Sequence, residues 1–125
     1  TNLGRIDMND THLAIGCYPG GSSFKVLELS MLSSPSYQTV PGQDCPSEVS
    51  FNDKGFFIPG DDKIIGWNSV ADALAGSSPT MSFGGKTDKT NIGTKMAAGI
   101  GWDGYHFWVG EYKFSNRLLG FAPSK

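Results

Sequence analysis

Three carboxylates and two tyrosines follow short apolar runs of this sequence, where loop side chains could meet a ligand. Asp61, Asp62 and Glu111 are the acidic candidates, because carboxylates that converge on one point bind hard cations such as Ca²⁺. Tyr18 and Tyr112 follow matching apolar runs and could stack on a sugar or a peptide. The alternative is that the acids are solvated turn residues, a role that Asp favours, and that the tyrosines cover a sheet edge.

Other reactive side chains lack the spacing that chemistry requires. No pair among Cys17, Cys45, His12 and His106 has the short separation typical of a metal site. The sequence also has no G-x-S-x-G nucleophile elbow and no phosphate-binding loop followed by Lys and Ser or Thr. We therefore assign no catalytic residue, no metal ligand and no cofactor, with Ca²⁺ as the one candidate ion. The two cysteines could be a disulfide or two buried thiols.

Composition restricts the classes of protein to which the chain could belong. A length of 125 residues fits a single domain over 1–125. A formal charge of −2 gives no basic surface for nucleic acid. No apolar run reaches the roughly 20 residues that a membrane-spanning helix needs, so we expect no membrane insertion. Loops rich in Ser, Gly, Asn and Thr, with few basic residues, favour an extracellular or periplasmic (secreted) protein.

The clearest structural unit lies between Gly99 and Phe121. Asp-Gly between apolar runs is a strong hairpin signal, because a type I′ turn needs positive φ at both central residues. Aromatic and β-branched residues fill the runs, as strands prefer. The unit is therefore predicted to be a three-stranded antiparallel meander with strands at Gly99–Trp102, Tyr105–Val109 and Leu118–Phe121, and with its first turn at Asp103-Gly104.

Weaker copies of this unit occur twice earlier in the chain. Asp10, Asp53 and Asp103 each end a first run, at intervals of 43 and 50 residues, and we expect their side chains to organise the following turns. A basic-apolar-apolar pattern recurs at Lys25–Leu29, Lys63–Trp67 and Arg117–Phe121. A period of about 40–50 residues with four short strands is typical of a β-propeller blade. The fold class is thus all-β, with blades at about 3–43, 46–86 and 97–125, the last one incomplete.

Two segments resemble a known repeat family. Lys63-Ile-Ile-Gly-Trp-Asn-Ser with Met81-Ser-Phe-Gly-Gly, and Trp108-Val-Gly-Glu-Tyr with Ser115-Asn-Arg-Leu-Leu-Gly-Phe, are similar to the two halves of the NHL repeat. The chain departs from the family at Asp62-Lys63, where the family prefers Asn-Arg. The resemblance implies a β-propeller, commonly of about six blades. It implies no single activity, since such propellers are binding platforms and occasionally enzymes.

An incomplete propeller leaves apolar sheet faces uncovered, because each blade buries both faces against its neighbours. Two copies could close a six-bladed ring by homodimerisation, or the chain could be a piece of a longer propeller. The first functional hypothesis is a non-catalytic binding or scaffold module that self-associates and presents its loops to a protein or glycan. The alternatives are a metal-dependent, lactonase- or lyase-like enzyme with its site in the central channel, and an engineered or truncated half-propeller without a natural activity.

Overall fold

The computed structural model describes residues 3–17, 23–60, 63–84, 97–111 and 118–123. These residues form three antiparallel sheets, and in each sheet strands that follow one another along the chain are paired. The all-β prediction is therefore confirmed, and the described sheets do not themselves close a ring. In this part of the chain no helix is long and apolar enough to cross a membrane.

The sheets contain four, four and three strands in the described residues. The first sheet comprises β1 Leu3–Met8, β2 His12–Cys17, β3 Lys25–Glu28 and β4 Tyr37–Thr39. The second comprises β5 Ser50–Asn52, β6 Gly55–Pro59, β7 Lys63–Trp67 and β8 Met81–Gly84. The third comprises β9 Ala97–Trp102, β10 Phe107–Glu111 and β11 Leu118–Phe121.

In the loops that the structure describes, there are two short helical segments. A 3-10 helix, Leu29–Met31, follows β3, and α1, Val70–Leu74, lies between β7 and β8. The side chain of Ser69 caps α1 by accepting a hydrogen bond from the backbone N–H of Asp72, which satisfies one of the amides that a helix start leaves unpaired.

Cross-strand pairing defines which residues of the three sheets are equivalent. In every sheet, one residue near the start of the second strand lies directly opposite one residue on each of the two neighbouring strands. Leu13 pairs with Met8 and Leu27, Phe56 pairs with Phe51 and Trp67, and Phe107 pairs with Trp102 and Phe121. Because side chains alternate across a strand, the next residues Ala14, Phe57 and Trp108 lie on the opposite face.

This register corrects the sequence alignment of the first repeat. Leu27 is the equivalent of Trp67, so Lys25 corresponds to Ile65 and not to Lys63. The basic-apolar-apolar pattern of the first repeat is therefore displaced by two residues. A displacement of two keeps every side chain on the same face of the strand, so the alternation of apolar residues could not reveal it.

The core lies between the sheets, in two apolar clusters. Phe56 and Ile58 join Phe24 and Trp67 between the first two sheets, and Phe57 packs into the cluster between the second and third sheets. Successive residues of β6 are thus buried on opposite sides, as expected for a strand covered on both faces. At Gly66 a Cβ atom would lie 2.2 Å from the ring of Phe57, so glycine lets this ring cross the strand.

The first strands of neighbouring sheets are also in contact, β1 with β5 and β5 with β9. The two residues that follow β11 reach back to the second sheet, where Gly84 N donates to Ala122 O at 2.8 Å and Phe83 forms a bridge with Pro123. The three sheets are therefore packed in chain order, each against the next.

Candidate functional site

The structure leaves the predicted ligand-binding residues almost entirely untested. Tyr18, Asp61, Asp62 and Tyr112 lie outside the described residues. Glu111 is the last residue of β10, opposite Ala97, and its side chain is also outside the described part. A ligand site at these five positions therefore stays a prediction. Over the described ranges, no group of three His, Cys, Asp or Glu side chains is arranged to hold a metal ion.

A disulfide joins the first sheet to the segment that leads into the second sheet. Cys17, the last residue of β2, is bonded to Cys45, with 5.6 Å between the two Cα atoms. Beside it, Cys17 N donates a hydrogen bond to Pro46 O at 2.7 Å. Of the two states that the sequence left open, the disulfide is the one found.

A buried carboxylate lies in the same junction. Glu48 is 3% exposed and belongs to the buried segment that runs from Cys45 into β5. The Nε of Arg5 donates to Glu48 Oε1 at 3.2 Å. Burial raises the pKa of Glu48 to about 7, although the charge and the hydrogen bond of Arg5 act in the opposite direction. The acid is therefore partly protonated near neutral pH.

This carboxylate makes the stability of the fold depend on pH. The pKa of Glu48 rises from an ordinary 4.5 to about 7 in the fold, so the folded chain binds more protons than the unfolded chain between these values. The free energy of unfolding is then highest below about pH 4.5 and falls as the pH rises through 7, as far as Glu48 contributes. We expect a loss on the order of 2–3 kcal/mol, because each unit by which burial raises the pKa corresponds to about 1.4 kcal/mol.

Urea titrations of unfolding at pH 5, 6, 7 and 8 measure this effect. The variant Glu48→Gln, which stays neutral, should remove most of the pH-dependent loss. Glu28→Gln deletes a carboxylate outside the junction and is the matched control that should retain it. A wild-type free energy of unfolding that rises with pH over this range would contradict the assignment.

In each sheet, one side chain organises the turn after the first strand: Asn9 in the first sheet, Asn52 in the second and Asp103 in the third. Asn9 Oδ1 accepts from the backbone N–H groups of Thr11 and His12 at 2.8 and 2.7 Å. Asn52 Oδ1 accepts from Lys54 N at 2.8 Å. The prediction that Asp10 and Asp53 play this part is wrong, because each lies one residue beyond the side chain that makes the turn.

In the third sheet, the prediction that the Asp103 side chain organises the turn is confirmed. Its Oδ1 accepts from the N–H groups of Tyr105 and His106 at 2.8 and 2.6 Å. Asp103 N donates to His106 O at 3.2 Å, so the central turn residues are Gly104-Tyr105, one position later than the predicted Asp103-Gly104. The equivalents of Asp103 are therefore Asn9 and Asn52.

The turn of the first sheet offers a matched test of this correction. Asn9→Ala removes two hydrogen bonds to backbone amides and should lower the free energy of unfolding by about 1–2 kcal/mol. Asp10→Ala, at the adjacent exposed position, should change it by less than about 0.5 kcal/mol. Chemical denaturation of both variants measures the difference. A larger loss for Asp10→Ala than for Asn9→Ala would restore the original alignment.

The Asp103 carboxylate also fixes an exposed aromatic residue. Its Oδ2 accepts from Trp108 Nε1 at 2.9 Å and lies 3.3 Å from His106 Nδ1. The backbone hydrogen bond from His106, then that from the Trp108 indole and that from Tyr105 N, hold the pKa of Asp103 well below its usual range. Because these donors occupy both oxygens, the carboxylate is a fixed anchor and not a proton acceptor. The role of Asp103 in the turn could be predicted from the sequence, whereas its bond to Trp108 could not.

Asp53 has a different role from the one predicted. Its Oδ1 accepts from Trp102 Nε1 at 3.0 Å, which links the turn of the second sheet to the last residue of β9. The indole of Trp102 in turn contacts the rings of Phe83 and Phe107. Asp53 therefore stabilises the contact between two sheets.

The outer face of the first sheet exposes large apolar side chains. We call it the leading face, and its members pair side by side across the four strands: Ile6, Met8, Leu13, Ile15, Lys25, Leu27 and Tyr37. Leu13 and Ile15 are partly buried and Leu27 is buried. Ile6 and Met8 are 54% and 52% exposed, and Tyr37 is exposed as well. Pairing makes Leu13 and Ile15 the equivalents of Phe107 and Val109, which are fully buried between the second and third sheets. The leading face is therefore a packing face, and no sheet formed by the described residues lies against it.

The outer face of the third sheet is open in the same way. We call it the trailing face: Gly101, Trp108, Leu118 and Gly120. Trp108 and Leu118 are 40% and 68% exposed. Their equivalents in the second sheet, Phe57 and Ile64, are fully buried. The sequence predicted uncovered flanks, but the residues that form them could be assigned only from the strand register.

No protein-family model, curated protein or solved structure matches this chain. The NHL-repeat resemblance is therefore not confirmed. The assignment of an all-β architecture of meander sheets is therefore based on the structure of this chain alone.

Proposed function

We propose that the chain is a non-catalytic binding or scaffold module of blade-like sheets that self-associates into a closed propeller. The observation that carries this proposal is the pair of open faces. The leading and trailing faces are equivalent to the two faces that the second sheet buries, so each has the composition of a sheet–sheet contact. Large apolar side chains that are exposed side by side on one face of a domain are typical of an interaction site.

The arrangement of the sheets supports the propeller form of this proposal. Each sheet is a meander, the sheets pack in chain order, and their first strands are in mutual contact, as around a propeller axis. Two copies of three sheets would supply six. Homodimerisation would also cover the strand faces that otherwise favour aggregation.

We further propose that the assembled module presents its loops to a protein or glycan ligand. The proposed contact residues follow short apolar runs, where loop side chains could meet a ligand: Tyr18, Asp61, Asp62, Glu111 and Tyr112. The disulfide between Cys17 and Cys45 supports an extracellular or periplasmic location, because such bonds persist in oxidising compartments.

The molar mass in solution tests self-association. Size-exclusion chromatography with light scattering, over protein concentrations of about 1–500 µM, should give twice the chain mass of 13.4 kDa. Leu32→Lys, which alters an exposed apolar residue outside both faces, is the control and should leave this mass unchanged. A folded 13.4 kDa species at every concentration would contradict the proposal.

Ligand presentation has its own test. The double variant Tyr18→Ala with Tyr112→Ala should lose binding to any glycan that the wild-type protein retains on an immobilised glycan array, and Tyr105→Ala is the matched control. A wild-type protein that binds no glycan or peptide probe would remove this part of the proposal.

A further inference from the structure

We infer that the trailing face of one copy packs against the leading face of a second copy, with Trp108 placed on Leu13 of that copy. This inference rests on the proposed self-association and specifies which surfaces meet. It differs from a dimer in which each copy uses the same face. The contact that the chain already makes between its second and third sheets is the template for this packing.

The internal contact supplies the pairing. Between the second and third sheets, the rings of Phe57 and Phe107 lie 4.7 Å apart. Trp108 is the equivalent of Phe57, and Leu13 is the equivalent of Phe107. If a second copy continues the stack, Trp108 therefore meets Leu13 of that copy. Met8 of that copy, the equivalent of Trp102, lies directly opposite this Leu13 on the neighbouring strand.

The contact between the first two sheets predicts that Leu118 also meets Leu13 of the second copy. There the rings of Phe24 and Phe56 lie 5.7 Å apart. Leu118 corresponds to Phe24, and Leu13 corresponds to Phe56. Two independent internal contacts thus predict the same result: Trp108 and Leu118, the two exposed apolar residues of the trailing face, both contact Leu13 of the second copy.

Trp108 is held in place before any partner arrives. Its indole N–H is bound to Asp103, and its ring lies so close to Gly120 that a Cβ atom there would be 2.8 Å from it. A side chain already fixed loses little conformational entropy on association. Fixed, central tryptophans are also frequent energetic centres of protein interfaces.

The surface beside this ring has room for large side chains. At Gly99 and Gly101 an added Cβ would meet nothing within 4 Å, so the sheet is flat and open there. The leading face carries the bulk instead, in Ile6, Met8 and Tyr37. The trailing face is flat beside the Trp108 ring, whereas large side chains project from the leading face. The two faces are therefore more complementary in shape to each other than either is to a copy of itself.

The leading face includes one charged position in the described strands. Lys25 pairs with Ile15 and is exposed, and its equivalent in the third sheet is Leu119. The aliphatic stem of a lysine can cover apolar surface while its ammonium group reaches water at the rim. Lys25 is therefore compatible with the contact.

A contact between unlike faces has a defined symmetry. Each copy offers one leading and one trailing face, so two copies can make two identical contacts and close. A variant that damages one face then destroys both contacts of its own dimer. Two variants damaged on different faces retain one intact contact between them.

Complementation between variants tests this prediction. The leading-face variant is Ile6→Lys with Met8→Lys, and the trailing-face variant is Trp108→Ser with Leu118→Lys. These residues are at least 40% exposed, and circular dichroism verifies the fold of each variant. For each variant alone, the dissociation constant of self-association should be at least about 30-fold higher than for wild type. An equimolar mixture should regain a complex of twice the chain mass, and Leu32→Lys should behave as wild type.

The outcomes separate the two proposals. A wild-type dimer in which either variant still dimerises alone would show that like faces meet, which overturns this inference and leaves self-association intact. A mixture that stays monomeric up to about 1 mM, beside a wild-type dimer, would also overturn it. A wild-type chain that is monomeric throughout contradicts both proposals.

Discussion

Replacing Phe107 by alanine is expected to lower the free energy of unfolding by about 3–5 kcal/mol. Phe107 is fully buried, and its ring lies 4.7, 4.9 and 4.6 Å from the rings of Phe57, Phe83 and Trp102. Truncation therefore leaves a cavity at the centre of the cluster that joins the second and third sheets. Such a cavity adds to the lost transfer free energy, because close-packed neighbours relax only in part.

Urea denaturation followed by tryptophan fluorescence measures this loss, and Trp102 reports on the affected contact directly. Tyr105→Ala is the matched control, since it removes an aromatic ring that is 61% exposed, two residues away. It should cost less than about 1 kcal/mol. Equal losses for the two variants would mean that Phe107 does not hold these sheets together.

Reduction of the disulfide is expected to lower the free energy of unfolding by about 3–4 kcal/mol. The bond closes a loop with a sequence separation of 28 residues, and a crosslink stabilises mainly by restricting the unfolded chain. The bond also lies where the first sheet meets the segment that contains Pro46 and Glu48. Its loss should therefore weaken the first sheet more than the third.

Denaturation with and without a phosphine reductant measures the effect. The variant Cys17→Ala with Cys45→Ala should be destabilised to a similar degree and should not respond to the reductant. Hydrogen exchange then locates the change, with earlier exchange in β2 and β3 than in β10. A wild-type protein whose unfolding is the same in both redox states would contradict the assignment.

Most of the strand framework could be predicted from local sequence. The run Lys63–Trp67 is β7 without any change of boundary, and Leu118–Phe121 is β11 likewise. Aromatic and β-branched residues between glycine- and proline-rich breaks are sufficient for this, because strand preference and turn chemistry act over a few neighbouring residues. The start of α1 at Val70 has an equally local determinant, the capping side chain of Ser69.

Register and covalent linkage could not be predicted in this way. The alignment error at Lys25 arose because a two-residue shift preserves the alternation of faces, and only the pairing of Leu13 with Leu27 resolves it. The bond between Cys17 and Cys45 depends on the approach of a strand end to a distant linker. The anchoring of Trp108 by Asp103 requires a turn geometry that two residues five positions apart do not reveal.

The disulfide loop has a mechanical consequence. If the oxidised protein is pulled from its two ends, the tension runs through the sulfur–sulfur bond and bypasses the 28-residue loop, so β3 and β4 bear no load. The fully extended oxidised chain is then shorter than the reduced chain by roughly 90–100 Å. The third sheet, which this bond does not enclose, lies on the stressed path, and we expect it to detach first.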